Sequence, residues 1–92
     1  MDDKNFFSTR DLTLAATLVT HKFLMIGLDL QIEGTNKRPV GYFKFDRTEK
    51  LDDVYRRYSQ GMLDVEPKLF MTNVHGLKAV VENAYKNPTG TY

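Results

Sequence analysis

The alternation of hydrophobic and polar positions is strongest between Met25 and Asp46. In its first half, apolar residues alternate with polar residues or glycine, which is the two-residue period of a strand with one buried face. These apolar positions are Ile26, Leu28, Leu30 and Ile32. A polar segment with glycine, asparagine and proline follows over 34–39, and a second strand pattern occupies 40–45. The pattern predicts an antiparallel hairpin over 25–46 with Phe43 and Phe45 facing the core.

Apolar residues at helical spacing predict a helix before this hairpin. Ser8 can act as its N-cap, with Asp11 as the capping-box carboxylate three residues later. An apolar stripe runs from Leu12 to Phe23. The helix should end near His21-Lys22, where cationic side chains suit the negative end of the helix dipole.

Two further helices are predicted after the hairpin. Asp46 and Glu49 can form a capping box for the first of them, and Gly61 is its natural terminator. Glu66-Pro67 opens the last helix, because proline is well tolerated at the first helical position. The inward positions of the last helix are Phe70, Val74, Leu77, Val81 and Ala84.

The short apolar segment 62–65 is predicted as a third strand, at the edge of the sheet. The order of elements is then α-β-β-α-(β)-α. This order predicts an α+β fold, in which a small antiparallel sheet has three helices packed mainly on one face. A chain of 92 residues is expected to form a single domain, with loose tails at 1–5 and 88–92.

Composition restricts the classes of chemistry that the chain can support. The chain has no cysteine, which excludes disulfides, thiolate zinc sites and thiol catalysis. It has no apolar run of the ~20 residues that a membrane helix needs, and its acidic N-terminus differs from a signal peptide. We therefore expect a cytoplasmic protein with no contact to a membrane.

Candidate catalytic groups are sparse. His21 and His75 have no Asp, Glu or His at ligand spacing, which predicts that no metal is bound. The pair Ser8 and Asp11 is better explained by helix capping than by nucleophilic catalysis, and no glycine-rich phosphate-binding motif is present. The sequence predicts a protein that is not an enzyme and has no cofactor.

The basic residues favour a different class of function. They lie at the hairpin tip, after the second strand and on the second helix, and Tyr42 stands on the outward side of the hairpin. The candidate nucleic-acid-binding residues are Lys37, Arg38, Tyr42, Lys44, Arg47, Arg56 and Arg57. Aromatic and cationic groups together suit single-stranded nucleic acid, since they supply stacking faces beside charges that neutralise phosphate.

Two observations oppose that interpretation. Asp52 with Arg56, and Asp53 with Arg57, have the i, i+4 spacing of ordinary surface ion pairs on a helix. The net charge is only +1, whereas nucleic-acid-binding domains usually carry a clear basic excess. A protein partner or a homodimer therefore stays open as the alternative.

Four motifs follow one another along the chain. They are Phe7-Ser8-Thr9-Arg10-Asp11-Leu12 with Leu14-Ala15-Ala16, then Tyr42-Phe43-Lys44-Phe45, then 58–67 with Phe70, and last Leu77-Lys78. Over residues 7–85 the chain thereby resembles a small domain family of unknown function found in bacteria and their phages. In that family a small, glycine-containing turn is expected after the first helix, where this chain has His21-Lys22-Phe23. The resemblance implies a bacterial or phage setting and brings no activity and no catalytic residues.

These observations predict a small non-catalytic accessory protein that binds single-stranded nucleic acid or a nucleic-acid-processing complex. The alternative is a regulator or inhibitor module that binds a host protein or a second copy of itself, without nucleic-acid contact.

Overall fold

The secondary structure follows the order β-α-β-β-α-α in the computed structural model, which describes residues 6–31 and 39–86. The strands are β1 (Phe6–Thr9), β2 (Met25–Gln31) and β3 (Val40–Asp46), and the helices are α1 (Leu12–Thr20), α2 (Glu49–Ser59) and α3 (Pro67–Lys86). The α+β prediction is confirmed.

The three described strands form one antiparallel sheet in the order β1-β3-β2. In β2 and β3, Leu28 lies opposite Phe43, which confirms the predicted hairpin. On the other side of β3, Phe7 of β1 lies opposite Phe45. Residues 32–38, which include most of the predicted hairpin tip, lie outside the described part of the chain.

The third strand is β1, and the prediction of an edge strand at 62–65 is wrong. Segment 62–65 is irregular, and its Met62 side chain is 70% exposed. The backbone N–H of Met62 donates to the carbonyl of Arg57 at 2.9 Å, so this residue serves to end α2. β1 already pairs with the edge of β3 that a strand at 62–65 would have to occupy.

The prediction that Ser8 caps α1 is also wrong. Ser8 belongs to β1 and lies opposite Lys44. The N-cap is Asp11, whose Oδ1 accepts hydrogen bonds from the backbone N–H groups of Thr13 at 3.0 Å and Leu14 at 3.2 Å. The helix starts three residues later than predicted because pairing with β3 holds the preceding residues in an extended conformation.

The ends of the other helices follow their local chemistry. Thr48, and not Asp46, caps α2 by accepting from the N–H of Leu51 at 3.1 Å. Gly61 ends α2 as predicted, with a φ of +70° that suits glycine. The carboxylate of Glu66 accepts from the first N–H groups of α3, as the predicted start at Glu66-Pro67 requires.

The core lies between the sheet and the helices, and α1 is at its centre. Five successive residues, 14–18, are buried, so α1 is surrounded by other elements on every side. Phe43 and Phe45 are 2% and 0% exposed, as the hairpin pattern predicts. From α3, the predicted stripe meets this core, with Leu77 and Ala84 buried and Phe70, Val74 and Val81 packed against it or half-buried. The three described helices all contribute residues to this core, so no helix of the described ranges lies on the opposite side of the sheet.

The predicted burial of Ile26 is wrong, because the alternation of β2 is interrupted. Met25 lies opposite Phe45 and Gly27 lies opposite Lys44, so Ile26 is an extra residue in β2. Such a bulge changes the direction of a side chain. Met25 packs against the core instead, and Ile26 is 40% exposed.

Candidate functional site

One side of the sheet faces away from the core and is the candidate site. Its members are the residues directly opposite one another on the side that Phe43 and Phe45 do not occupy. We call it the open face, and it consists of Phe6, Ser8, Gly27, Asp29, Gln31, Val40, Tyr42, Lys44 and Asp46. Tyr42 and Lys44 are half-buried here, on the side predicted for them.

The centre of the open face is a contact between a cation and an aromatic ring. The ammonium nitrogen of Lys44 lies 4.9 Å from the centroid of the Phe6 ring. Phe6 is nevertheless 44% exposed, so part of the ring surface remains available to solvent. The contact holds one positive charge and one stacking surface side by side.

Tyr42 and Gly27 extend this centre toward β2. Tyr42 is two residues from Lys44 on the same face of β3, and Gly27 lies directly opposite Lys44. A Cβ atom built on Gly27 would have no atom within 4 Å. The backbone at Gly27 is therefore open to close approach by a flat group.

Two acids limit the positive potential of this surface. Asp29 lies opposite Tyr42, Asp46 lies opposite Phe6, and both carboxylates are exposed. Among the described residues of the open face, Lys44 is the single cation against these two acids. Electrostatic attraction to a chain of phosphates is consequently weak here.

The described arginines of the predicted site, Arg47, Arg56 and Arg57, form ion pairs with acids on α2. Nε of Arg47 lies 3.2 Å from Oδ1 of Asp52. Asp53 forms ion pairs with both Arg56 and Arg57. Nε of Arg57 lies 3.3 Å from Oδ2 of Asp53. The predicted Asp53–Arg57 pair is thus confirmed, whereas Asp52 binds Arg47 and not Arg56. The side chains of these pairs are 40–63% exposed, so the pairs are weak, but they leave α2 without a one-sided positive surface.

The structure brings together only part of the predicted set. Tyr42 and Lys44 share the open face, while Arg56 and Arg57 belong to α2. Lys37 and Arg38 lie outside the described residues. Phe6 was missed by the sequence reasoning, because the residues before Asp11 were assigned to a helix start. Apolar and polar residues do not alternate in Phe6-Phe7-Ser8-Thr9, so no local pattern indicated this strand.

A second concave region lies between β3 and the C-terminal half of α3. It has a volume of about 460 Å³ and contains Leu12, Phe43 and Val81 in its lining. Arg10 and Lys78 contribute positive charge there, and Glu82 contributes negative charge. This mixture favours no single class of ligand, so the open face remains the stronger candidate.

Metal binding finds no support in the described ranges 6–31 and 39–86, where no three His, Asp or Glu side chains are grouped suitably for an ion. His21 uses Nε2 in a contact of 3.0 Å with the carbonyl of Asp64, and His75 is exposed on α3. None of the described helices is long and apolar enough to cross a membrane.

Comparison with known proteins adds no assignment: no family model, no curated protein and no solved structure matches this chain significantly. The resemblance in the sequence therefore stays a prediction.

Proposed function

We propose that this protein acts by binding and that its open face binds single-stranded nucleic acid. The observation that carries the proposal is the half-exposed ring of Phe6 beside the ammonium group of Lys44, on the side of the sheet that none of the described helices covers. The bacterial or phage setting that the resemblance implies belongs to the same proposal.

Stacking supplies most of the affinity in this mode of binding. A base stacked on an aromatic side chain contributes about 1–3 kcal/mol, and any base can use such a surface. Phe6 offers one ring, and the space above Gly27 admits a second base beside Tyr42. The site thus suits a short single strand of one or two bases, and not a duplex, in which the base faces are already stacked.

Charge plays the smaller part. Each phosphate neutralised on a single strand contributes about 0.7 to the slope of log affinity against log salt. With Lys44 as the single described cation of the open face, and Asp29 and Asp46 close by, the slope from these residues should be near that value. Contacts from Lys37 and Arg38 would add up to about 0.7 each.

Fluorescence anisotropy with a labelled oligothymidine tests the proposal. Phe6→Ala should weaken binding about 5- to 150-fold, the equivalent of one lost stacking contact. Met62→Ala is the matched control, because it removes another exposed apolar side chain from a site far along the chain. Equal effects of the two substitutions, or no binding by the wild type at low salt, would contradict the proposal.

The charge is tested by a second pair of variants. Lys44→Gln should lower the salt slope by about 0.7. Lys50→Gln removes the same charge from the exposed surface of α2 and should leave the slope unchanged. A slope that falls equally in both variants would indicate general attraction to the protein and would overturn the role of Lys44.

A protein-binding module is the second candidate function. The observation that favours it is the outer edge of β2, where the apolar side chains of Leu24 and Ile26 are exposed. This edge is separated from β1 by β3.

A further inference from the structure

The side chains around Gly27 leave the backbone of β2 accessible on the open face. Lys44 lies directly opposite Gly27, but its ammonium nitrogen lies 4.9 Å from the centroid of the Phe6 ring, on the β1 side of β3. The Lys44 side chain thus reaches away from β2. A Cβ atom built on Gly27 has no atom within 4 Å. A flat group such as a base can therefore lie directly over Gly27.

Asp29 is the one charged residue of β2, and it borders this space. It lies two residues from Gly27 on the same face of the strand, which corresponds to about 7 Å. Because this distance is comparable with the width of a base, a base over Gly27 brings one edge to the Asp29 carboxylate. Asp29 is exposed and forms no ion pair with any other residue of the ranges 6–31 and 39–86. Its oxygen atoms are therefore available to a ligand.

A carboxylate only accepts hydrogen bonds, so it selects the base edges that donate them. Single-stranded nucleic acid presents the Watson–Crick edges of its bases. On that edge guanine has two adjacent donors, N1–H and the 2-amino group, and a carboxylate can accept from both at once. Cytosine and adenine have one amino group there, and thymine has one N–H between two carbonyl oxygens that repel a carboxylate. A carboxylate beside a base thus favours guanine.

We propose that the base over Gly27 is guanine and that Asp29 determines this specificity. The inference rests on the proposed binding of single-stranded nucleic acid to the open face. Lys44 belongs to the central strand, between Phe6 on β1 and Gly27 on β2. Its charge is thereby placed for the phosphate that joins a base on Phe6 to the guanine. The ligand is a dinucleotide step with guanine at one position and any base at the other.

Repulsion between Asp29 and phosphate does not oppose this specificity. It weakens the binding of every sequence to the same extent, because every sequence has the same backbone. The two hydrogen bonds from the base strengthen the binding of guanine alone. Asp29 therefore lowers the general affinity of the open face and raises its selectivity.

Two oligonucleotides that differ in one base test the proposal on the wild-type protein. Fluorescence anisotropy should show that pentathymidine with guanine at its centre binds about 5- to 30-fold more tightly than pentathymidine, as expected for one bidentate contact. The phosphates are the same in both, so their contribution cancels in this guanine-to-thymine ratio of affinities. Hypoxanthine keeps N1–H but lacks the 2-amino group, so it should reduce the ratio to about 2- to 6-fold.

Asp29→Asn should remove the preference. The amide has one acceptor and one donor, which match an N–H beside a carbonyl oxygen, and both guanine and thymine present that pair. The guanine-to-thymine ratio should therefore fall to within about twofold of 1. Asp46→Asn is the matched control, since it removes the same charge from another exposed acid of the open face and should leave the ratio unchanged. A partly unfolded variant binds both oligonucleotides less and keeps the same ratio.

The outcomes separate this inference from the proposed function. If pentathymidine binds the wild type and binds Phe6→Ala more weakly, but guanine is not preferred, the open face binds nucleic acid and the role of Asp29 is overturned. An equal fall of the ratio in Asp29→Asn and Asp46→Asn also overturns that role, because the effect then follows charge and not a contact with the base. If neither oligonucleotide binds at low salt, the proposed function and this inference fail together.

Discussion

The hydroxyl group of Tyr58 donates a hydrogen bond to Oδ2 of Asp11, with 3.2 Å between the two oxygens. Oδ1 of the same carboxylate caps α1. Asp11 therefore fixes the first turn of α1 and joins it to α2, across 47 positions of sequence. Burial, together with the negative charge and the hydrogen bond of Asp11, raises the pKa of Tyr58 above its ordinary value.

A double-mutant cycle should show that the two residues are coupled. Asp11→Ala removes the cap and should cost about 1–2 kcal/mol of unfolding free energy. Tyr58→Phe should cost about 0.5–1.5 kcal/mol. Since both lose the same hydrogen bond, the double mutant should lose less than the sum, by about 0.5 kcal/mol or more. Ser8→Ala is the control in urea denaturation and should lie within about 0.5 kcal/mol of the wild type; a loss as large as that of Asp11→Ala would restore Ser8 as the cap.

The raised pKa of Tyr58 predicts a dependence of stability on alkaline pH. The folded state holds the Tyr58 proton more tightly than the unfolded state, in which the pKa is about 10. The stabilisation is thus complete below about pH 10 and is lost as pH rises through the folded pKa. The unfolding free energy of the wild type should fall more steeply above about pH 10 than that of Tyr58→Phe. Parallel curves for the two proteins would contradict this assignment.

The sequence predicts well those elements whose signals are local and repeated. The hairpin and α3 have long periodic patterns, and Gly61 and Pro67 mark boundaries that depend only on backbone chemistry. Ser8 and Asp11, however, are both good N-caps. Only the pairing of β1 with β3, a contact distant in sequence, decides between them.

The open face was harder to predict for the same reason. Phe6 reaches it because β1 pairs with β3 next to Lys44, and no local pattern joins these two residues. The ion pairs follow a similar rule: helical spacing suggests Arg56 as the partner of Asp52, whereas Arg47, which follows β3, forms the pair. Residues that a local spacing pairs on one helix can thus find partners from another element.

Two glycines should respond oppositely to the same substitution. Gly76 lies inside α3, and a Cβ there would meet no atom within 4 Å. Gly76→Ala should therefore stabilise the protein by about 1 kcal/mol, the difference in helix propensity. Gly61 has a φ of +70°, so Gly61→Ala should destabilise it by about 1–2 kcal/mol. Chemical denaturation of both variants checks the sign, and a loss of stability in Gly76→Ala would indicate a contact at that helix surface.

Substitution of two phenylalanines should show a difference in stability between a core position and a position on the open face. Phe45 is 0% exposed and Phe6 is 44% exposed. Phe45→Ala should cost about 3–5 kcal/mol because it leaves a cavity in the core. Phe6→Ala should cost about 1 kcal/mol or less. If thermal unfolding shows equal losses, then Phe6 is a packing residue and its role on the open face is refuted.

Lys22 ends α1 in a conformation that usually belongs to glycine. Its φ is 73°, and its N–H donates to the carbonyl of Val19 at 2.9 Å while that of Phe23 donates to Leu18 at 3.0 Å. This is the Schellman pattern, in which the left-handed residue is most often glycine. Lys22 lies in the turn after α1, where the family that the sequence resembles is expected to have a glycine-containing turn. Lys22→Gly should therefore stabilise the fold by about 1 kcal/mol, since it removes the strain on a Cβ in the left-handed region.

Lys22→Ala separates conformation from charge in this experiment. It keeps the Cβ and removes the ammonium group, so it should not gain stability in urea denaturation. A gain equal to that of Lys22→Gly would attribute the effect to the charge of Lys22. A gain in stability for Lys22→Gly alone would show that the left-handed conformation of Lys22 destabilises the end of α1.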